Sequence, residues 1–106
     1  MENNIENKNE KIVLSMRCSK ELASLVHNTA KKENIEKQTW IKKQIIRALS
    51  KKYNFESISA IEFLNARNKK AQIAFRIPIW VIDHLSKQKY RKTDFIVLSF
   101  LCALKN

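Results

Sequence analysis

The chain has 106 residues, 21 Lys and Arg against 10 Asp and Glu, and a formal net charge of +11. It contains no Gly and a single Pro, which excludes every glycine-dependent phosphate loop and EF-hand loop and disfavours an all-β fold built on tight positive-φ turns. Hydrophobic residues make up 44% of it, enough to bury a core, so what remains is one small, mostly helical, strongly basic domain whose charge points to nucleic acid or another anionic partner.

Residues 1–10 hold three Glu and one Lys among several Asn. They read as a disordered N-terminal tail and lack the basic-then-apolar order of a signal peptide. A first unit is expected over residues 11–52. Lys11 to Cys18 alternates, with Ile12, Leu14, Met16 and Cys18 on one face and Val13, Ser15 and Arg17 on the other, the period of a strand. Ser19 follows as a helix N-cap with Glu21 in the first turn, where the helix dipole favours an anion. Leu22, Leu25, Val26, Thr29 and Ala30 then form a helical stripe. This helix should end near Glu33-Asn34, because Asn is second only to Gly at a left-handed helix end. A second helix is expected from about Lys37, with Ile35 stapling onto Trp40. Its apolar face is Trp40, Ile41, Ile45, Ala48 and Leu49. The cations Lys42, Lys43, Arg47, Lys51 and Lys52 read as a solvated face that adds attraction for phosphate.

Residues 53–70 are a connector in which Ile58, Ile61 and Leu64 fall at helical spacing, so a short helix is expected within Ser57 to Asn68. Residues 71–106 form a second unit. Its strand, Ala71 to Ile77, puts Ile73, Phe75 and Ile77 on one face and Gln72, Ala74 and Arg76 on the other. Pro78 suits the first position of the next helix, where its missing N–H costs nothing. That helix carries Trp80, Val81, Ile82 and Leu85 and should end near Lys89. The last helix, from about Lys92, is apolar almost all round and must be buried on every side. Its run from Phe95 to Leu104, broken only by Ser99, is about half the ~20 residues of a membrane span. A soluble cytoplasmic protein is therefore expected, with self-association through Phe95–Leu104 as a further expectation. Trp40 and Trp80 read as core or interface residues.

The two units repeat one order of features. Ile12 to Ser19 aligns with Ala71 to Pro78, matching Arg17 with Arg76. Lys37 to Ile41 aligns with Lys92 to Ile96, and an Ala-Leu pair closes each unit at Ala48-Leu49 and Ala103-Leu104. The offset falls from 59 to 55 between the two blocks, so the second unit is four residues shorter there. One strand with two helices cannot satisfy its backbone or bury enough surface alone. Pairing the two strands solves both problems. The expected fold is mostly α with a two-stranded antiparallel β-ribbon, the two units forming a pseudo-twofold domain.

On Ile12 to Leu22, Ala71 to Val81 with Arg76-Ile77-Pro78 at the strand-to-helix junction, and Lys37 to Leu49 and Lys92 to Leu104, the chain resembles the ribbon-helix-helix DNA-binding superfamily of the Arc and MetJ repressors. It looks like a tandem member, an arrangement also known among plasmid conjugation proteins and viral regulators; its Lys, Asn and Ile content suggests an AT-rich genome. The resemblance implies double-stranded DNA as partner, read by a ribbon in the major groove, which admits two strands and presents a unique base code. The ribbon face turned from the core would then read bases: Val13, Ser15 and Arg17, with Gln72, Ala74 and Arg76. Arg suits guanine and Gln suits adenine, whereas Val13 and Ala74 offer only apolar contact. The resemblance also implies a phosphate held at the N-terminus of each second helix, here Lys37, Gln38 and Thr39, and Lys92 and Thr93. Two departures stand out. The family often has Gly before this helix, where Asn34 and Lys89 stand here, and Asp94 would lie close to a phosphate. Because the two triplets differ, the expected DNA site is asymmetric or a direct repeat.

The expected role is transcriptional regulation, a repressor acting by occlusion. A plasmid accessory protein at a transfer origin or partition site would use the same ribbon. An antitoxin would need an extension beyond the last helix, and an RNA- or anionic-surface-binding protein would rest on charge alone. Cys18 and Cys102 have no Cys or His partner at zinc spacing. With His27 and His84 they read as buried thiols and ordinary helical imidazoles. No nucleophile–base set, carboxylate pair or metal cluster is visible, so neither enzymatic activity nor a cofactor is expected.

Overall fold

Alternating sequence produces two strands, β1 (Lys11–Cys18) and β2 (Ala71–Pro78), paired antiparallel in a two-stranded sheet. The computed structural model describes residues 10–105; the expected tail lies outside the described residues except for Glu10. The register sets Lys11 opposite Pro78, Ser15 opposite Ala74 and Cys18 opposite Ala71. Beyond the ladder, the Ile79 N–H donates to the Glu10 carbonyl at 2.9 Å.

Helix α1 (Lys20–Lys32) begins where Ser19, in extended backbone, accepts a 3.0 Å hydrogen bond from the Leu22 N–H, with Glu21 in the first turn. It buries Leu22, Val26 and Ala30. It ends without glycine: Asn34 takes φ 61°, its N–H donates to the Lys31 carbonyl, and the Ile35 N–H donates to the Ala30 carbonyl. This is a Schellman end, which satisfies carbonyls the last turn would otherwise orphan. Helix α2 (Lys37–Leu49) ends the same way, with Lys51 at φ 62° and the Lys52 N–H on the Arg47 carbonyl. Its buried face is Trp40, Ile41, Gln44, Ile45 and Ala48. The buried Gln44 amide accepts from the Tyr53 hydroxyl.

The connector holds a 3-10 turn (Phe55–Ser57) and helix α3 (Ala60–Ala66). Ser59 and Glu62 form a reciprocal capping box, which fixes where α3 starts. The Ser19 N–H donates to the Ala66 carbonyl at 2.8 Å and ties the end of α3 to the start of α1. Helix α4 (Ile79–Ser86) follows β2, and α5 (Lys92–Lys105) closes the described fold. Helix α5 packs on α2, α3, α4, β1 and the 3-10 turn, so Phe95 to Phe100 are all buried. The Phe100 ring centroid lies 5.8 Å from that of Trp40. Ser99, the polar interruption, donates to the Phe95 carbonyl at 2.7 Å and needs no outside partner. The molecule is thus mostly helical with one two-stranded antiparallel ribbon.

Several local expectations are corrected. Helix α4 stops at Ser86, short of Lys89, because Lys87 and Gln88 make only i→i−3 bonds. Pro78 is the last strand residue and the α4 cap, one position before the helix. In α3 the helical spacing holds, but Ile61 and Leu64 are 71% and 59% exposed, and Ala66 with the preceding Ile58 is buried instead. Leu25 is half exposed, and Ile12, although on the core side of the ribbon, is 42% exposed. Trp40 lies in the core, whereas Trp80 is exposed and stacks edge-on to His84. No described helix is long and apolar enough to cross a membrane.

Candidate nucleic-acid interface

Strand geometry decides which side chains share a face, because alternate residues point to opposite sides. The core side of the ribbon buries Met16, Cys18, Ile73, Phe75 and Ile77. The other side carries Val13, Ser15, Arg17, Gln72, Ala74 and Arg76, all exposed. The register makes them three cross-strand pairs: Val13 with Arg76, Ser15 with Ala74, and Arg17 with Gln72. At about 3.4 Å per residue the three positions on one strand span about 14 Å, close to the rise of four base pairs. The outer face thus sets apolar Val13 and Ala74 among Ser15, Arg17, Gln72 and Arg76, with one guanidinium near each end.

Each end of this face opens into a cleft between the ribbon and the start of a helix. The larger, about 650 Å³, lies between Arg17 and Gln72 of the ribbon and Lys92 and Thr93 of α5. The smaller, about 150 Å³, lies between Lys11 and Arg76 and the residues Gln38 and Thr39 of α2. The structure thus brings Gln38, Thr39, Lys92 and Thr93 beside the ribbon. Lys37 is not among them: it lines a separate hollow with Asn34 and His27.

Gln38 has a task that its position in the sequence does not announce. Its Oε1 accepts a 2.9 Å hydrogen bond from the Arg76 N–H, so the first turn of α2 is tied to the outer edge of β2. Gln38 also lines the small cleft. Asp94 has a partner in Arg67, with a guanidinium nitrogen 3.8 Å from a carboxylate oxygen, and the Arg67 guanidinium also rests 5.3 Å from the centre of the Phe63 ring. The large cleft is lined as well by Lys69 and Arg91, and the small one by Lys42 and Glu36. The sequence reading missed Arg67, Lys69 and Arg91; the signal was the run Arg67-Asn68-Lys69-Lys70 immediately before β2.

Cys18 and Cys102 are buried free thiols, and burial pushes both thiols up from their ordinary pKa. His27 and His84 are exposed. Among the described residues no group of three His, Cys, Asp or Glu side chains could hold a metal ion. No protein-family model, curated protein or solved structure matches the chain.

Proposed function

We propose that the chain is a sequence-specific DNA-binding protein of the ribbon-helix-helix kind, with two units in one chain about a pseudo-twofold axis, and that it represses transcription by occluding its site. The observation that carries this reading is the outer ribbon face. The sequence repeat aligns Ser15 with Ala74 and Arg17 with Arg76, and the register sets Ser15 opposite Ala74. A twofold axis through the centre of the ribbon requires that coincidence: the residue at the axis must pair with its own equivalent. The flanking pairs, Val13 with Arg76 and Gln72 with Arg17, then exchange under the same axis.

Charge supports the partner. The first ten residues hold one Lys and three Glu, which leaves +13 of the charge on the remainder of the chain. That excess supplies salt-dependent attraction to phosphates, while base contacts supply selectivity. Arg17 and Arg76 donate to guanines, Gln72 to an adenine, and Gln38, Thr39, Lys92 and Thr93 hold the flanking backbone.

The test is selection of duplexes from a random pool, followed by binding of wild type, Arg17→Ala and Arg76→Ala over a range of salt. Each bidentate Arg–guanine contact is worth about 1–3 kcal/mol, so each variant should lose about 5-fold to 150-fold on the selected duplex and little on an unrelated one. An undiminished preference in both variants overturns the reading.

A further inference from the structure

The two ends of the outer ribbon face are furnished unequally. Five cationic side chains and one carboxylate line the large cleft, whereas three cations and one carboxylate line the small one. The excess comes from the connector. Arg67 and Lys69 project into the large cleft from the turn between α3 and β2, and no connector residue lines the small one. The turn is tied to the start of α1, where the Ser19 N–H donates to the Ala66 carbonyl at 2.8 Å, and is tightened internally, where the Lys70 N–H donates to the Asn68 carbonyl at 3.0 Å.

We infer that the Arg67–Lys70 turn is a second contact to the nucleic-acid backbone, present at the Arg17–Gln72 end alone, and that it gives the bound protein a fixed direction on DNA. This rests on the ribbon reading above. Lys69, exposed at the cleft, contacts a phosphate. Arg67 is a positioning residue. Held by the Phe63 ring and paired with Asp94, it neutralises the one carboxylate lining that cleft, which would otherwise repel a phosphate at the start of α5.

The experiment uses the full chain on a duplex selected from a random pool, with Lys69→Gln and, at the opposite cleft, Lys42→Gln. Loss of one phosphate contact lowers the salt slope by about one unit. Between about 50 and 200 mM salt, Lys69→Gln should then weaken about threefold to fourfold less than wild type. Its hydroxyl-radical footprint should lose protection on one flank, and Lys42→Gln should affect the other flank. Arg67→Gln should weaken binding, and adding Asp94→Asn should restore most of it. A sequence-selective complex in which Lys69→Gln keeps the wild-type slope and both flanks overturns this inference alone; failure of the double variant to recover overturns the role of Arg67. A chain that binds no duplex overturns the ribbon reading as well.

Discussion

A helix that ends in the left-handed region without glycine does so at the expense of a Cβ, and here Asn34 and Lys51 do so at φ 61° and 62°. The two positions are alike in hydrogen bonding and unlike in chemistry. For an ordinary L-residue the left-handed conformation costs about 1–2 kcal/mol. Asn tolerates it better through its short polar side chain. Glycine removes that cost but adds about 0.5–1 kcal/mol of backbone entropy in the unfolded chain. Lys51→Gly should therefore stabilise the fold by about 0.5–1 kcal/mol, after the small loss of a cation near the end of α2. Asn34→Gly should change little. For a domain of this size the gain corresponds to roughly 2–6 °C in Tm. Lys51→Asn loses the same charge without the glycine entropy and should also exceed wild type. Thermal and urea unfolding followed by circular dichroism measure all three. A destabilised Lys51→Gly, or an Asn34→Gly that gains more than Lys51→Gly, would refute the assignment of strain to Lys51.

Phe100 is fully buried against Trp40, so Phe100→Ala should cost about 3–5 kcal/mol, read as a lower urea midpoint; a loss below about 1 kcal/mol would mean the core closes over the gap. The Glu62 carboxyl is held below its ordinary pKa, chiefly by the Ser59 N–H at 2.9 Å and also by Lys105 at 3.4 Å. Its contribution is therefore present above the unfolded value of about 4.3 and is lost as pH falls through the depressed folded value. The stability gap between wild type and Glu62→Gln should close on acidification, and a gap that widens would reverse the sign. Gln38→Ala removes the acceptor for the Arg76 N–H; because the bond is exposed the stability cost should be no more than about 0.5–1 kcal/mol, but the Arg76 amide should exchange faster with solvent, and unchanged exchange would sink the tether.

What was legible in the sequence is what local chemistry decides. The strand Lys11–Cys18, the Ser19 cap, the left-handed Asn34 and the start of α2 at Lys37 follow from alternation, a short hydroxyl side chain, an amide that tolerates positive φ, and a staple. The antiparallel ribbon followed from the need to pair backbone groups. What was not legible depends on residues distant in the chain. Helical spacing in α3 marks a periodic stripe, but which stripe is buried depends on how α5 and the start of α1 meet it, and they cover Ala66 and leave Ile61 and Leu64 outside. Asp94 turns to Arg67 and Gln38 to the backbone of β2; both partners lie far along the chain, where no periodicity reaches. Lys37 looked equivalent to Lys92 by alignment, yet lines a different hollow.

Chain connectivity itself breaks the equivalence of the two ends. A ribbon made by two identical chains has no linker, so both ends are furnished alike. When both strands belong to one chain, the segment between them enters the ribbon once, at a single end. Here that end is fixed by the pairing of Cys18 with Ala71: the chain must return beside the start of α1, and the Ser19–Ala66 hydrogen bond holds it there. The cations that close the linker are therefore delivered to that end. A linker ending in Arg67 and Lys69 therefore adds two cations to the cleft beside Arg17 and none to the one beside Arg76. On the DNA-binding reading, direction on the site is thus a consequence of joining the two halves, in addition to the difference between the two reader triplets.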